Sequence, residues 1–240
     1  MILARCLALD PPARTDFAGA ANVIFDGKFL FGRRYSLLVV MDANTKKPVA
    51  ATVATAESRR YVLPWLSELK SLGFNPRSVT TDGNAGVIGS FKHLWPDITM
   101  QRCLFHIRLQ VTAWMRRKPR YACTKALLCF IASITNVTTE LGAQAFREGF
   151  KNLLEQHKQE LATFDPSHPV QGDAIRAFSL VSHALDQCFC YLNNPGVAST
   201  TSALEGYFKQ IQRIKGFDHN GLTKEHLFKF LAWRIYFDGQ

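Results

Sequence analysis

Three early runs of the chain are apolar in a way that fits strands. Ala21–Phe25 is short and apolar and runs into Asp26-Gly27. Tyr35–Met41 (YSLLVVM) favours β-structure along its whole length, the pattern of a strand buried on both faces. Val49–Thr55 follows, after the turn sequence Asn44-Thr45-Lys46-Lys47-Pro48. Connections of a few residues predict a three-stranded antiparallel meander, with Asp26 at the exit of the first strand.

The period then changes. Val62, Leu66, Leu69 and Leu72 recur at helical spacing within Glu57–Leu72, and Gly73 ends the pattern. Pro64 interrupts it, so the expected helix starts late or kinks there. Ser78–Thr81 reads as a short strand that leaves on Asp82-Gly83-Asn84. A brief helix over Ala85–Leu94 and a fifth strand near Ile98–Gln101 complete the order β-β-β-α-β-α-β. From Leu104 the pattern turns helical as far as Leu192, with helices expected at Leu104–Met115, 123–134, 139–162 and 172–192. Asn193-Asn194-Pro195-Gly196 closes this block. Ser202 then opens an amphipathic helix with Leu204, Tyr207, Phe208, Ile211 and Ile214 on its apolar side and Glu205 as its one carboxylate. Thr223 is placed to cap a last helix that carries Leu227, Phe228, Leu231 and Ile235 inward.

Composition adds a partner class. The 240 residues are 47% hydrophobic, enough for a sizeable core in one large domain or one domain with an insertion. There are 29 Lys and Arg against 19 Asp and Glu, a formal charge of +10. That balance favours a polyanion or an anionic membrane surface as partner, with ordinary solubilising charge as the bland alternative. The six cysteines include no Cys-x-x-Cys pair, which fits a reduced protein. No uninterrupted apolar run reaches membrane-spanning length, and the start, MILARCLALDPP, falls short of a signal peptide.

Three acids stand where a metal site needs them. Asp26 and Asp82 follow β-rich segments, and Glu205 lies on a helix. Hard divalent cations prefer carboxylate oxygens. Two such ions about 3.5–4 Å apart activate an attacking oxygen and stabilise a leaving oxygen on phosphorus. Each residue has a plainer role open to it, since Asp-Gly and Asp-Gly-Asn are turn sequences and Glu205 fits a solvated helix face. Cys103-x-x-His106 follows the fifth strand and reads as half a zinc site or as a packed thiol beside a hydrogen-bonded histidine, the second being favoured because no second ligand pair is evident.

Taken in order, VIFDGKFL, LLVVMDANTKKPVA, VTTDGNAGV, WPDITMQRCLFHIRLQ and STTSALEGYFKQIQRIKGFDHNGLTKEHL resemble the DDE transposases of bacterial insertion sequences related to the Mutator-like elements. The resemblance covers nearly the whole chain from residue 21, and TTDG followed by QRCLFH is its most specific part. It implies a ribonuclease H-like α/β fold: a mixed five-stranded sheet flanked by helices, with an all-helical insertion before the last catalytic helix. Residues 1–20 are then linker or a remnant N-terminal segment, 21–118 the first part of the catalytic domain, 119–196 the insertion, and 197–240 the closing part with the Glu-bearing helix.

The resemblance also assigns roles. Asp26, Asp82 and Glu205 become the catalytic acids and the ligands of two Mg²⁺ or Mn²⁺ ions. Cys103, His106 and Ser202 become residues that organise the site. Arg102, Arg108, Lys209, Arg213, Lys215 and His219 become contacts to double-stranded DNA, both element ends and target. The implied activity is metal-dependent DNA cleavage and strand transfer, in a homodimer or higher oligomer, in the cytoplasm at the nucleoid and not at a membrane. Two departures stand out: the family commonly has Asn where Ser202 stands, three residues before the Glu, and no end-recognition module is read in residues 1–20. They keep two alternatives in view, a catalytically inactive transposase-derived DNA-binding protein and a ribonuclease H-like metal-dependent nuclease.

Overall fold

The computed structural model describes residues 10–12, 17, 19–30, 34–115, 119–213 and 224–240. The basic run 116–118 and the expected cap Thr223 lie outside the described residues. The chain divides into two compact units, Met1–Met100 with Gly196–Gln240, and Gln101–Pro195.

The first unit is built on β1 (Asn22–Leu30), β2 (Tyr35–Asp42), β3 (Pro48–Ala54) and β4 (Ser78–Thr81), with β5 (Thr99–Arg102) completing a five-stranded sheet of order β3-β2-β1-β4-β5. β1–β2 and β2–β3 pair antiparallel, which is the expected meander, and β1–β4 pair parallel. The sheet is therefore mixed.

Side-chain alternation gives the sheet two buried faces. Phe25, Leu38 and Val40 point to one core, shared with Val62, Leu66 and Leu69 of α1 (Arg59–Ser71) and Val87 and Phe91 of α2 (Ala85–Leu94). Ile24, Leu37, Val39 and Met41 point to the other, shared with Leu204, Tyr207, Phe208 and Ile211 of α7 (Ser202–Arg213) and Leu227, Leu231 and Ile235 of α8 (Lys224–Asp238). The continuous apolar run of β2 is the sequence trace of this double burial. Strand order, mixed pairing and helices on both faces make this a ribonuclease H-like fold.

The helix does not start late: α1 runs from Arg59 through Pro64 to Ser71. Proline there removes one backbone bond and costs on the order of 3 kcal/mol in a helix interior, while full burial of Val62 and Leu66 on the sheet offsets it. Asp26 lies inside β1 rather than at its exit, because the hairpin with β2 continues to Leu30↔Tyr35.

The second unit is all-helical: α3 (Leu104–Met115), α4 (Ala122–Ile131), α5 (Glu140–Ala162) and α6 (Pro169–Ala184), followed by short 3₁₀ turns at Leu185–Gln187 and Cys190–Leu192. These turns replace the last part of the helix expected to reach residue 192. Ile107, Val111, Leu127, Phe150 and Val181 meet in one core. Glu160 accepts from the N–H groups of Ala122 (3.1 Å) and Cys123 (3.0 Å), satisfying the first turn of α4. The described cysteines Cys103, Cys123, Cys129, Cys188 and Cys190 are free thiols. Among the described residues no helix is long and apolar enough to cross a membrane.

Candidate active site

The parallel pair β1–β4 decides where the two aspartates stand. Ile24 pairs with Thr80. Two residues further on lie Asp26, still inside β1, and Asp82, one residue past the end of β4. Adjacent strands lie about 4.8 Å apart. Asp26 shares the parity of Ile24, which packs on the α7–α8 side of the sheet. β4 ends at Thr81 while β1 continues, which opens the sheet beside Asp26.

Each carboxylate is held locally. Asp26, buried with 8% exposure, accepts from the backbone N–H of Gly27 at 2.8 Å. Asp82 accepts from the N–H of Asn84 at 2.9 Å and from the hydroxyl of Thr81 at 3.3 Å. Gly83, at φ +102°, turns the chain between them in a conformation that favours glycine.

Glu205 reaches the same side of the sheet through its helix. Leu204, Tyr207, Phe208 and Ile211 seat α7 in the core that contains Ile24. The hydroxyl of Thr80 donates to the carbonyl of Ala198 at 2.6 Å, pinning the lead-in to α7 on β4 two residues before Asp82. Tyr207 donates to Asp238 of α8 at 2.9 Å, and Arg234 donates to the same oxygen at 2.6 Å. Burial, and then the Asp238 carboxylate, pushes the Tyr207 phenol well above its ordinary pKa. Ser202, exposed at the first position of α7, accepts from the hydroxyl of Thr200 at 3.0 Å.

Oxygen donors on two adjacent strands and a helix suit a hard divalent cation. Asp26 on β1 and Asp82 just past β4 are oxygen donors of the kind such an ion takes. The triad as a whole does not close: among the described residues, no group of three or more His, Cys, Asp or Glu is arranged to hold a metal ion.

Lys209 and Arg213 are exposed, one and two turns after Glu205 on α7. Lys215 and His219 lie outside the described residues. The remaining site candidates belong to the helical unit. Cys103 is buried just before α3, and His106 is half-buried beside Phe105, with ring centroids 6.0 Å apart. Arg108 donates to Thr135 at 3.3 Å, and its guanidinium lies 5.7 Å from the Phe105 ring centre. Arg102 is buried with 8% exposure.

Sequence reasoning missed two residues that shape the site. Asn84 accepts from Gly86 N–H at 2.9 Å as the cap of α2, and its amide donates to the Glu57 carbonyl at 2.8 Å. Its capping role was legible, since Asn before an apolar-periodic segment is a helix start signal. Glu57 has no such signal. Its carboxylate lies over Gly27, where a Cβ would come within 2.5 Å of its Oε2 and 3.0 Å of the Ser36 hydroxyl. Gly27 is thus a place of close approach.

No protein-family model matches the chain, and no curated protein matches it in sequence. The fold and the positions of these residues are what bear on function.

Proposed function

We propose that this chain is a ribonuclease H-like domain performing divalent-metal-dependent phosphodiester cleavage on DNA, with Asp26, Asp82 and Glu205 as its acids. The observation that supports the reading is the parallel β1–β4 pairing, Ile24 opposite Thr80, with an aspartate two residues on from each and the Glu205 helix packed on the Ile24 side of the sheet. A divalent cation held there supplies Lewis-acid stabilisation of phosphoryl oxygens and lowers the pKa of bound water.

The chain's own residues do the rest. Asp26 and Asp82, ordered by backbone N–H donors, concentrate negative charge at the open edge of β1. A polyanion approaches such a site only beside compensating cations, and Lys209 and Arg213 supply them on the exposed part of α7. In cleavage, a water oxygen bonds to phosphorus, the bond to the leaving oxygen breaks, the water gives a proton to solvent and the leaving oxygen takes one up to become a free hydroxyl. Transposition is the fuller form of this function, in which a freed 3′-hydroxyl replaces water as the attacking group.

The second reading is a DNA-binding protein that does not cleave. It is favoured by one observation, the absence of a three-ligand group among the described residues. A single assay separates the readings. Supercoiled plasmid and duplexes with pre-nicked ends are incubated with the protein and Mn²⁺, and products are resolved on denaturing gels. Nicking that Asp82→Asn abolishes supports the nuclease, joined products support transposition, and salt-sensitive binding without nicking supports the second reading.

A further inference from the structure

We infer that Arg59 and Arg60, at the start of α1, contact DNA phosphates on the side of the sheet opposite α7; the inference rests on the DNA reading above and needs no bound metal. The topology sets their place. β1 and β3 both run antiparallel to β2, so β3 leaves the sheet at the same edge as β1. β4 is parallel to β1 and ends toward that edge, just before Asp82. After a short connection from Ala54, the last residue of β3, Arg59 begins α1 there. In open α/β sheets, ligands bind outside the carboxyl ends of the strands. α1 and α2 pack on the Phe25 side of the sheet and α7 on the Ile24 side. The two arginines therefore stand across the sheet from the helix that carries Lys209 and Arg213.

Their charge is left for a partner. Both are exposed, and among the described residues neither pairs with a carboxylate. The first turn of α1 holds no acid, and Glu57, just before it, lays its carboxylate over Gly27 instead. Both side chains are nevertheless braced. The Arg60 guanidinium lies 5.7 Å from the Tyr61 ring centre. Arg59 lies along α2, where Gly89 leaves it room: a Cβ there would stand 3.4 Å from its Nη1. The backbone below is fixed too, since a Cβ on Gly86 would come within 2.7 Å of the Arg59 nitrogen. That contact ties the start of α1 to the helix that follows Asp82. Charge that merely solubilises needs no such support. A planar guanidinium already held in place loses less freedom on binding, and its fork of donors matches phosphate.

The test reads fluorescence anisotropy of a labelled random-sequence duplex at several salt concentrations, in EDTA. It compares the full chain with the double variant Arg59→Gln/Arg60→Gln and with Lys92→Gln. Glutamine removes the charge and keeps most of the stem, so the packing of α1 is spared. Lys92 is an exposed cation in the last turn of α2, at the far end of that helix from Arg59. The double variant should lower the slope of log affinity against log salt by about 2, one for each lost phosphate contact. Lys92→Gln should keep the parent's slope. If the double variant keeps the parent's slope, or if Lys92→Gln lowers it as much per charge removed, the arginines only add to the net charge. The inference is then overturned, with the DNA reading intact. If the parent shows no salt-dependent binding, the DNA reading falls and takes the inference with it.

Discussion

Ile24 and Thr80, 56 residues apart in the chain, pair on the adjacent parallel strands β1 and β4, and two residues on from each stand Asp26, inside β1, and Asp82, one residue past the end of β4. Either Asp26→Asn or Asp82→Asn should lower Mn²⁺-dependent nicking by more than about 100-fold, since in the proposed site each is a direct ligand rather than a residue behind one. Both variants should keep the parent's far-ultraviolet circular dichroism. Nicking by either at the parent rate would remove that residue from the site.

Gly27→Ala should disturb the same region by crowding. The new Cβ would meet the Glu57 carboxylate at 2.5 Å and the Ser36 hydroxyl at 3.0 Å. Overpacking of this kind costs about 1–3 kcal/mol. Adding Glu57→Ala should recover part of the loss, because the closest atom is gone. Urea unfolding of the parent, both single variants and the double variant forms a cycle, and strict additivity would contradict the close approach.

The seating of the Glu205 helix can be tested at Tyr207. Tyr207→Phe removes the hydrogen bond to Asp238 and should cost about 1 kcal/mol. Leu204→Ala, at a position with no exposure, should cost about 2–5 kcal/mol. Chemical denaturation measures both.

Alkaline pH should weaken the protein. Burial pushes Cys188 up from 9.0 to about 12, and burial, with the Glu160 carboxylate next, pushes Cys123 up to about 12. A pKa raised in the folded state means that the native chain binds more protons than the unfolded one between the two values. The contribution is complete below about pH 9 and is lost as pH rises toward 12. The unfolding midpoint followed across this range should fall, and fall less steeply in Cys188→Ala. The Tyr207 phenol adds a loss of the same sign above about pH 10.

Much of the fold could be read from the chain. The apolar run of β2 announced burial on both faces, and the change of period after β3 announced α1. Asp26 was placed at a strand exit because local pattern ends at the Asp-Gly pair, whereas hairpin pairing with β2 carries the strand on to Leu30. Pro64 raised doubt about α1 that tertiary burial overrides. The parallel pairing of Ile24 with Thr80 is not legible, since register between strands separated by a helix depends on packing. Glu57 was invisible for the same reason: its contact with Gly27 bridges 30 residues and follows no periodicity.

Affinity for DNA should depend on α7. Lys209→Ala and Arg213→Ala should each weaken binding across unrelated duplexes and lower the slope of log affinity against log salt by about 1. Fluorescence anisotropy at several salt concentrations reads this directly, and an unchanged slope would move the DNA path away from α7.

The account's central claim is that Asp26 and Asp82 together hold a divalent cation. Anomalous diffraction from crystals of the full chain soaked in Mn²⁺ tests it most directly. The predicted result is a peak between these two carboxylates that disappears in Asp82→Asn crystals. A peak that persists in the variant, or well-ordered crystals with no peak at this pair, would contradict it.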